Sequence, residues 1–163
     1  SGGGQVVQRF ALTAHDHPAL QAAGISLRYV IANPSSYAYF SPQRPVQLAP
    51  ASCPDFNDWK YGMQKLPAYA NGQSPEQLEK AYVARDITYL LGQQDTDPNH
   101  PALDKSCAAE AQGAYRLIRG HNYFDYLKLR HPQLSQRLVE VPGVGHDGDK
   151  MFTSPQGQAA LFH

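Results

Sequence analysis

Three segments of this 163-residue chain carry side chains suited to acyl-transfer chemistry. The first is Ser1-Gly2-Gly3-Gly4, which runs straight into the apolar periodicity of Gln5 to Ala14. A serine on a sharp turn between strand and helix, with glycines that permit the strained backbone and close packing, is the back half of a G-x-S-x-G nucleophile elbow. Ser1 and Gly3 fit the last three positions of that motif. The same four residues are equally the composition of a flexible linker, so this segment fixes nothing alone. The second segment is Gly92-Gln93-Gln94-Asp95-Thr96-Asp97-Pro98, with carboxylates just past a strand-like run. Asp95 is the better candidate, because Asp97 precedes proline and reads as a turn residue; an Asx-turn acceptor is the plain alternative for either. The third is Val141-Pro142-Gly143-Val144-Gly145-His146-Asp147-Gly148, an imidazole on a loop whose glycines leave the ring unshielded. His15, His17, His100, His121, His131 and His163 stand in polar surroundings or beside proline, where a solvated or capping role fits better.

The intervening sequence supplies elements to position these groups. Val6, Val7, Phe10, Ala11 and Ala14 recur at helical spacing, and Asp16-His17-Pro18 ends the pattern. Residues 25–32, 86–92 and 136–141 read as strands, the first ended by Asn33-Pro34-Ser35-Ser36 and the last by Pro142-Gly143. Ser74-Pro75-Glu76-Gln77 opens a helix with Ser74 as N-cap, proline in the first position and a capping box completed by Gln77. Residues 106–118 predict one helix, Tyr123 to Arg130 another, and Ser154 to Phe162 a capped terminal one. Residues 41–85 are rich in Pro, Tyr, Asn and Gln, and make a crossover longer than a simple strand–helix–strand link needs; such insertions commonly cover a site. Helix, strand, insertion, strand, helices, strand, helix is an α/β pattern with parallel strands that need helices on both faces. Three strands cannot close such a layer alone, so a separate N-terminal segment is expected to complete the sheet.

Composition narrows the classes of function. Fourteen basic and fourteen acidic residues cancel, and no Lys/Arg run marks a nucleic-acid surface. The longest apolar stretches, such as Val6-Val7 and Tyr89-Leu90-Leu91, fall far short of a membrane span. Cys53 and Cys107 are the only cysteines, and neither has metal-ligand spacing to a second Cys or a His, so neither metal nor cofactor is expected. Two cysteines in separate loop-rich regions, in a chain poor in lysine, fit one disulfide in an oxidising compartment, secreted or periplasmic; two unrelated buried thiols are the alternative.

With these residues in view, the chain resembles the C-terminal part of an α/β-hydrolase-fold serine hydrolase, from the nucleophile onward. The most specific pieces are Ser1-Gly2-Gly3-Gly4 leading into a helix, Gly92-Gln93-Gln94-Asp95 and Gly145-His146-Asp147-Gly148, in the chain order Ser, Asp, His that this fold uses. The resemblance implies a triad of Ser1 as nucleophile, His146 as general base and Asp95 as orienting acid, with the Gly2 N–H as one oxyanion donor. It implies a division into 1–40 (elbow, helix and first core strand), 41–85 (cap) and 86–163 (remaining core with the acid and histidine loops). The substrate would be a small ester-like, or amide, carbonyl, with Phe56, Trp59, Tyr61 and Tyr69 of the cap as candidates for the pocket wall or for the cap's own core. Cys53 would tether the cap to the helix bearing Cys107.

A start at the nucleophile favours a precursor cut just before Ser1, by itself or by a protease, whose two fragments stay together through the sheet, over a truncated record of an intact polypeptide. An N-terminal-nucleophile hydrolase, with the Ser1 amine as base, would instead place antiparallel strands soon after the serine. An inactive binding module of the same fold is the non-enzymatic alternative, since a break at the elbow loosens the nucleophile.

Overall fold

A computed structural model describes residues 1–15, 18–70 and 72–163. Three parallel strands, β1 (Arg28–Ala32), β2 (Asp86–Gly92) and β3 (Arg137–Val141), form a sheet in the order β1-β2-β3. The register sets Ala32 beside Leu90 and Leu90 beside Val139. Helices α1 (Gly2–Thr13) and α2 (Pro18–Ala22) precede β1, and α3 (Pro75–Val83) precedes β2. After β2 come α4 (Cys107–Glu110) and α5 (Arg116–Arg130), and after β3 come α6 (Gly148–Thr153) and α7 (Pro155–Phe162).

Strand side chains alternate between two apolar layers, as the period of two requires. Tyr29 and Ile31 of β1 and Ile87 and Tyr89 of β2 face one way, onto Leu12 of α1, Leu78 and Tyr82 of α3, and Tyr123 and Leu127 of α5. Leu90 and Val141 face the other way with Val30, Ala32 and Val139, onto Met151 of α6 and Ala160 of α7. The first layer is rich in tyrosine, whose hydroxyls need partners when buried. Tyr82 and Tyr89 meet hydroxyl to hydroxyl at 2.8 Å, Tyr89 donates to Gln136 Oε1 at 2.9 Å, and Gln8 Nε2 donates to Tyr123 at 3.1 Å.

The expected strands form, and α3 carries its capping box: the Gln77 N–H reaches Ser74 Oγ at 3.2 Å and the Ser74 N–H reaches Gln77 Oε1 at 2.8 Å. The single helix expected over 106–118 does not form. It stops at Glu110, and α5 begins at Arg116 and continues unbroken through 123–130. Gly113 sits at φ 139°, which breaks the helical path, and Gln112 spends its side chain on both main-chain groups of Tyr37, at 2.8 Å each. The first helix starts at Gly2, immediately after the serine as expected, whereas two short helices, α2 and α6, were not expected. The expected stop at Asp16-His17 lies outside the described residues.

Between β1 and β2 the chain is largely irregular, with 3-10 turns at Pro50–Ser52 and Ala68–Ala70 before α3. A disulfide joins Cys53 to Cys107 at the start of α4. Among the described residues, no helix is long and apolar enough to cross a membrane.

Candidate active site

Ser1 is the N-cap of α1, yet its side chain makes no capping hydrogen bond. The hydroxyl is therefore free for another partner, and it meets the Ser35 hydroxyl. Gly4 brings this end of α1 against the end of β1: a Cβ there would lie 2.2 Å from the Ala32 carbonyl oxygen and 3.1 Å from the Pro34 nitrogen. Only glycine allows that approach. Arg9, further along α1, fastens the helix to the following loop by donating to the Ser36 carbonyl at 2.6 Å and the Lys60 carbonyl at 2.9 Å.

Asp95 and His146 lie just past the carboxyl ends of β2 and β3, where open α/β sheets gather their chemistry. The two loops are joined by main-chain hydrogen bonds, from Gln93 N–H to the Val141 carbonyl at 3.1 Å and from Gln94 N–H to the Val144 carbonyl at 2.8 Å. Asn33, in the left-handed region at φ 41°, adds a third tie. Its Oδ1 accepts from Gly92 N–H at 2.9 Å and its Nδ2 donates to the Gly145 carbonyl at 3.2 Å.

His146 Nδ1 lies 2.8 Å from Asp95 Oδ2. A carboxylate at that nitrogen holds the proton on Nδ1 and leaves Nε2 as the basic atom. Asp95 is buried, and its other oxygen accepts from Arg116 Nη1 at 3.2 Å. Burial pushes the His146 pKa below its ordinary value; the Asp95 hydrogen bond opposes this, and the Arg116 cation adds to it. His146 is thereby kept neutral, the form a general base needs.

Ser1 and His146 both line a cavity of about 260 Å³, together with Gly3, Gly4, Val7, Val30, Ala32, Asn33 and Met151. A larger hollow of about 540 Å³, bounded by Leu20, Ile25, Leu27, Tyr29 and Arg85, lies apart from these residues. Gly2 occupies the first turn of α1, where the N–H has no carbonyl within the helix to bond.

The four aromatic residues read as candidate lining do not border the Ser1–His146 cavity. Trp59 packs on the core, Phe56 lies under the Arg44 guanidinium, Tyr61 donates its hydroxyl to Asp104 Oδ2 at 2.8 Å, and Tyr69 is exposed. Their spacing shows aromatic clustering but not which side of the insertion they face. Three residues of the site were passed over. Ser35 and Asn33 read as loop chemistry, and Arg116 as an ordinary helix position. His100, read as solvated, sits edge-on to His146 with ring centroids 5.1 Å apart. The local sequence holds no signal for these contacts, since each joins residues at least 16 positions apart in the chain. Among the described residues, no three His, Cys, Asp or Glu side chains cluster to hold a metal ion.

No protein-family model matches the chain, and no curated protein matches its sequence. Solved structures do. Poly(aspartic acid) hydrolase-1 from Sphingomonas sp. KT-1 is 25% identical with a TM-score of 0.64, covering 98% of this chain and 50% of that one. LpqC, a poly(3-hydroxybutyrate) depolymerase from Bordetella parapertussis, is 25% identical with a TM-score of 0.65, covering 91% of this chain and 42% of that one. The chain thus spans about half the length, or less, of the structures it matches. Its parallel sheet with flanking helices is the mixed α/β arrangement of these α/β-hydrolase-type enzymes.

Proposed function

We propose that the chain is the C-terminal part of a serine hydrolase acting on an ester-like carbonyl through Ser1, His146 and Asp95. The observation that carries this reading is the 2.8 Å contact between Asp95 and His146 at neighbouring strand ends, beside a cavity that Ser1 shares. Ser1 Oγ attacks the carbonyl carbon while its proton passes to His146 Nε2. The Gly2 N–H stabilises the oxyanion. His146 then protonates the leaving oxygen, and water, deprotonated by the same nitrogen, releases the acid and restores Ser1. Asp95 holds the imidazole in the required tautomer throughout.

Support for an additional segment comes from the sheet. The outer edge of β1 has no strand partner among the described residues, and Val6 and Phe10 of α1 stand 68% and 55% exposed. The Ser1–His146 cavity runs along that edge, past Val30 and Ala32 and between α1 and α6. In our reading, residues preceding Ser1 in the natural protein place a strand there and complete the site. The segment over 41–85 acts as the cap, tethered by Cys53–Cys107, and that disulfide fits a secreted or periplasmic enzyme. The two similar structures are named for hydrolysis of poly(aspartic acid) and of poly(3-hydroxybutyrate), so a small ester or a polyester is the first substrate class to test.

The test is labelling with a fluorophosphonate probe, followed by mass spectrometry. An adduct on Ser1, lost in His146→Ala, is the expected result. Folded protein, with its sheet complete, that takes no adduct would favour the inactive binding module instead.

A further inference from the structure

The Ser35 hydroxyl occupies an unusual position. It is buried, lies in a loop without regular structure, and touches Ser1 Oγ, Arg116 Nε at 3.0 Å and the Ala102 carbonyl at 3.4 Å. Both main-chain and side-chain groups of this loop are held by α5: Arg119 Nη1 donates to the Ser35 carbonyl at 2.6 Å, one turn beyond Arg116. Arg116 is itself 1% exposed, and its guanidinium also reaches Asp95 Oδ1 at 3.2 Å and His100 Nδ1 at 3.5 Å.

Donor and acceptor counting fixes the direction of one of these bonds. Guanidinium nitrogens only donate, so Arg116 Nε–H fills one lone pair of Ser35 Oγ. The Ala102 carbonyl only accepts, and 3.4 Å is long for a hydroxyl donor. Either hydroxyl can donate across the Ser1–Ser35 contact, but once Ser1 passes its proton to His146 only Ser35 retains one to donate there. We propose, on the serine-hydrolase reading above, that Ser35 is a further catalytic residue whose hydroxyl donates to the nucleophile oxygen, and that Arg116 is the positioning residue linking that hydroxyl to Asp95.

The gain arises as the reaction proceeds. When Ser1 Oγ loses its proton to His146 and begins to bond the carbonyl carbon, negative charge develops on the oxygen that Ser35 touches. A hydroxyl polarised by a cation 3.0 Å away, in a buried setting, donates more strongly to that charge than to the resting alcohol. Ser35 keeps its own proton, so no group other than Ser1, His146, the leaving oxygen and water changes protonation. Arg116 also faces the base. Asp95, Arg116 and His100 are titratable side chains around His146, and the positive charge of Arg116 favours the neutral imidazole.

The experiment uses the protein as its source produces it, with p-nitrophenyl acetate as substrate and the fluorophosphonate as label. Ser35→Ala is expected to slow acylation about 10- to 100-fold with KM unchanged. Ser35→Thr, which keeps a hydroxyl, is expected to recover part of the rate. Arg116→Gln is expected to move the acidic limb of kcat/KM to higher pH, because loss of the cation makes His146 easier to protonate; Ser35→Ala leaves that limb in place. In the double variant, Ser35→Ala should cost less than it does alone. A folded Ser35→Ala protein with an unchanged acylation rate overturns the role of Ser35. An active Arg116→Gln protein with an unmoved limb and no coupling to Ser35 overturns the role of Arg116. If Arg116→Gln does not fold, the two Ser35 variants decide the matter. Absence of label on Ser1 in the unaltered protein would overturn the hydrolase reading itself, whereas labelling with an unimpaired Ser35→Ala overturns this inference alone.

Discussion

Replacing Gly4 by alanine sets two effects of opposite sign against each other. Alanine is the better helix former by about 1 kcal/mol, and Gly4 lies within α1, so local propensity alone makes Gly4→Ala stabilising. The added methyl would lie 2.2 Å from the Ala32 carbonyl oxygen and 3.0 Å from the Ala32 carbonyl carbon, both main-chain atoms that no rotamer change can move. Helix and strand must separate by roughly 1 Å, the kind of displacement that costs about a hundredfold in rate when it reaches a reacting group. It does reach one, since Ser1 caps the same helix three residues earlier. Overpacking of this kind costs about 1–3 kcal/mol, which outweighs the propensity gain or cancels it. The expected result is a denaturation midpoint no higher than that of the parent and a fall in acylation rate of about two orders of magnitude, followed by chemical denaturation and burst kinetics. A Gly4→Ala protein that is both more stable and equally active would refute the close packing of α1 on the end of β1 and the positioning of Ser1 that follows from it.

Other expectations concern the base, the loop tie and the disulfide. Because the folded-state pKa of His146 is lowered, the neutral base persists below the ordinary histidine value near 6.5, and the acidic limb of kcat/KM should fall below that pH. The same shift makes its contribution to stability complete above the unfolded pKa and lost as pH falls through the folded one; a limb well above 6.5 would contradict it. Asn33→Ala leaves the buried Gly92 N–H without its partner, a loss of about 1–3 kcal/mol by denaturation, with kcat falling because the acid and histidine loops lose a shared anchor. Removing the Cys53–Cys107 bridge, which spans 54 residues, is expected to lower stability by about 4 kcal/mol on the chain-entropy account. A Cys53→Ser, Cys107→Ser pair with an unchanged melting temperature would show that the irregular segment is held by its other contacts.

Strands and most helices were legible because their signals are local. The β-branched and aromatic runs of β1 and β2 alternate between two buried layers, and Ser74-Pro75-Glu76-Gln77 states its capping box outright. The order of Ser1, Asp95 and His146, each beside a glycine-bearing turn, was legible for the same reason. The break between α4 and α5 was not, because a run of alanines favours helix while the decisive Gln112–Tyr37 contact joins positions 75 residues apart. Arg116 was invisible for a related reason. An arginine in a helix is ordinarily solvated, and only the folded chain shows it enclosed between Asp95 and Ser35.

The hydrogen-bond ladder that continues from β2 and β3 into the loops of Asp95 and His146 bears on how this chain can vary in length. Adding or deleting one residue within 92–95 or 141–146 would slip every later rung by one position and turn the carboxylate away from the imidazole. Length variation among natural relatives should therefore avoid these two runs, and a library of random insertions should hold no active members within them.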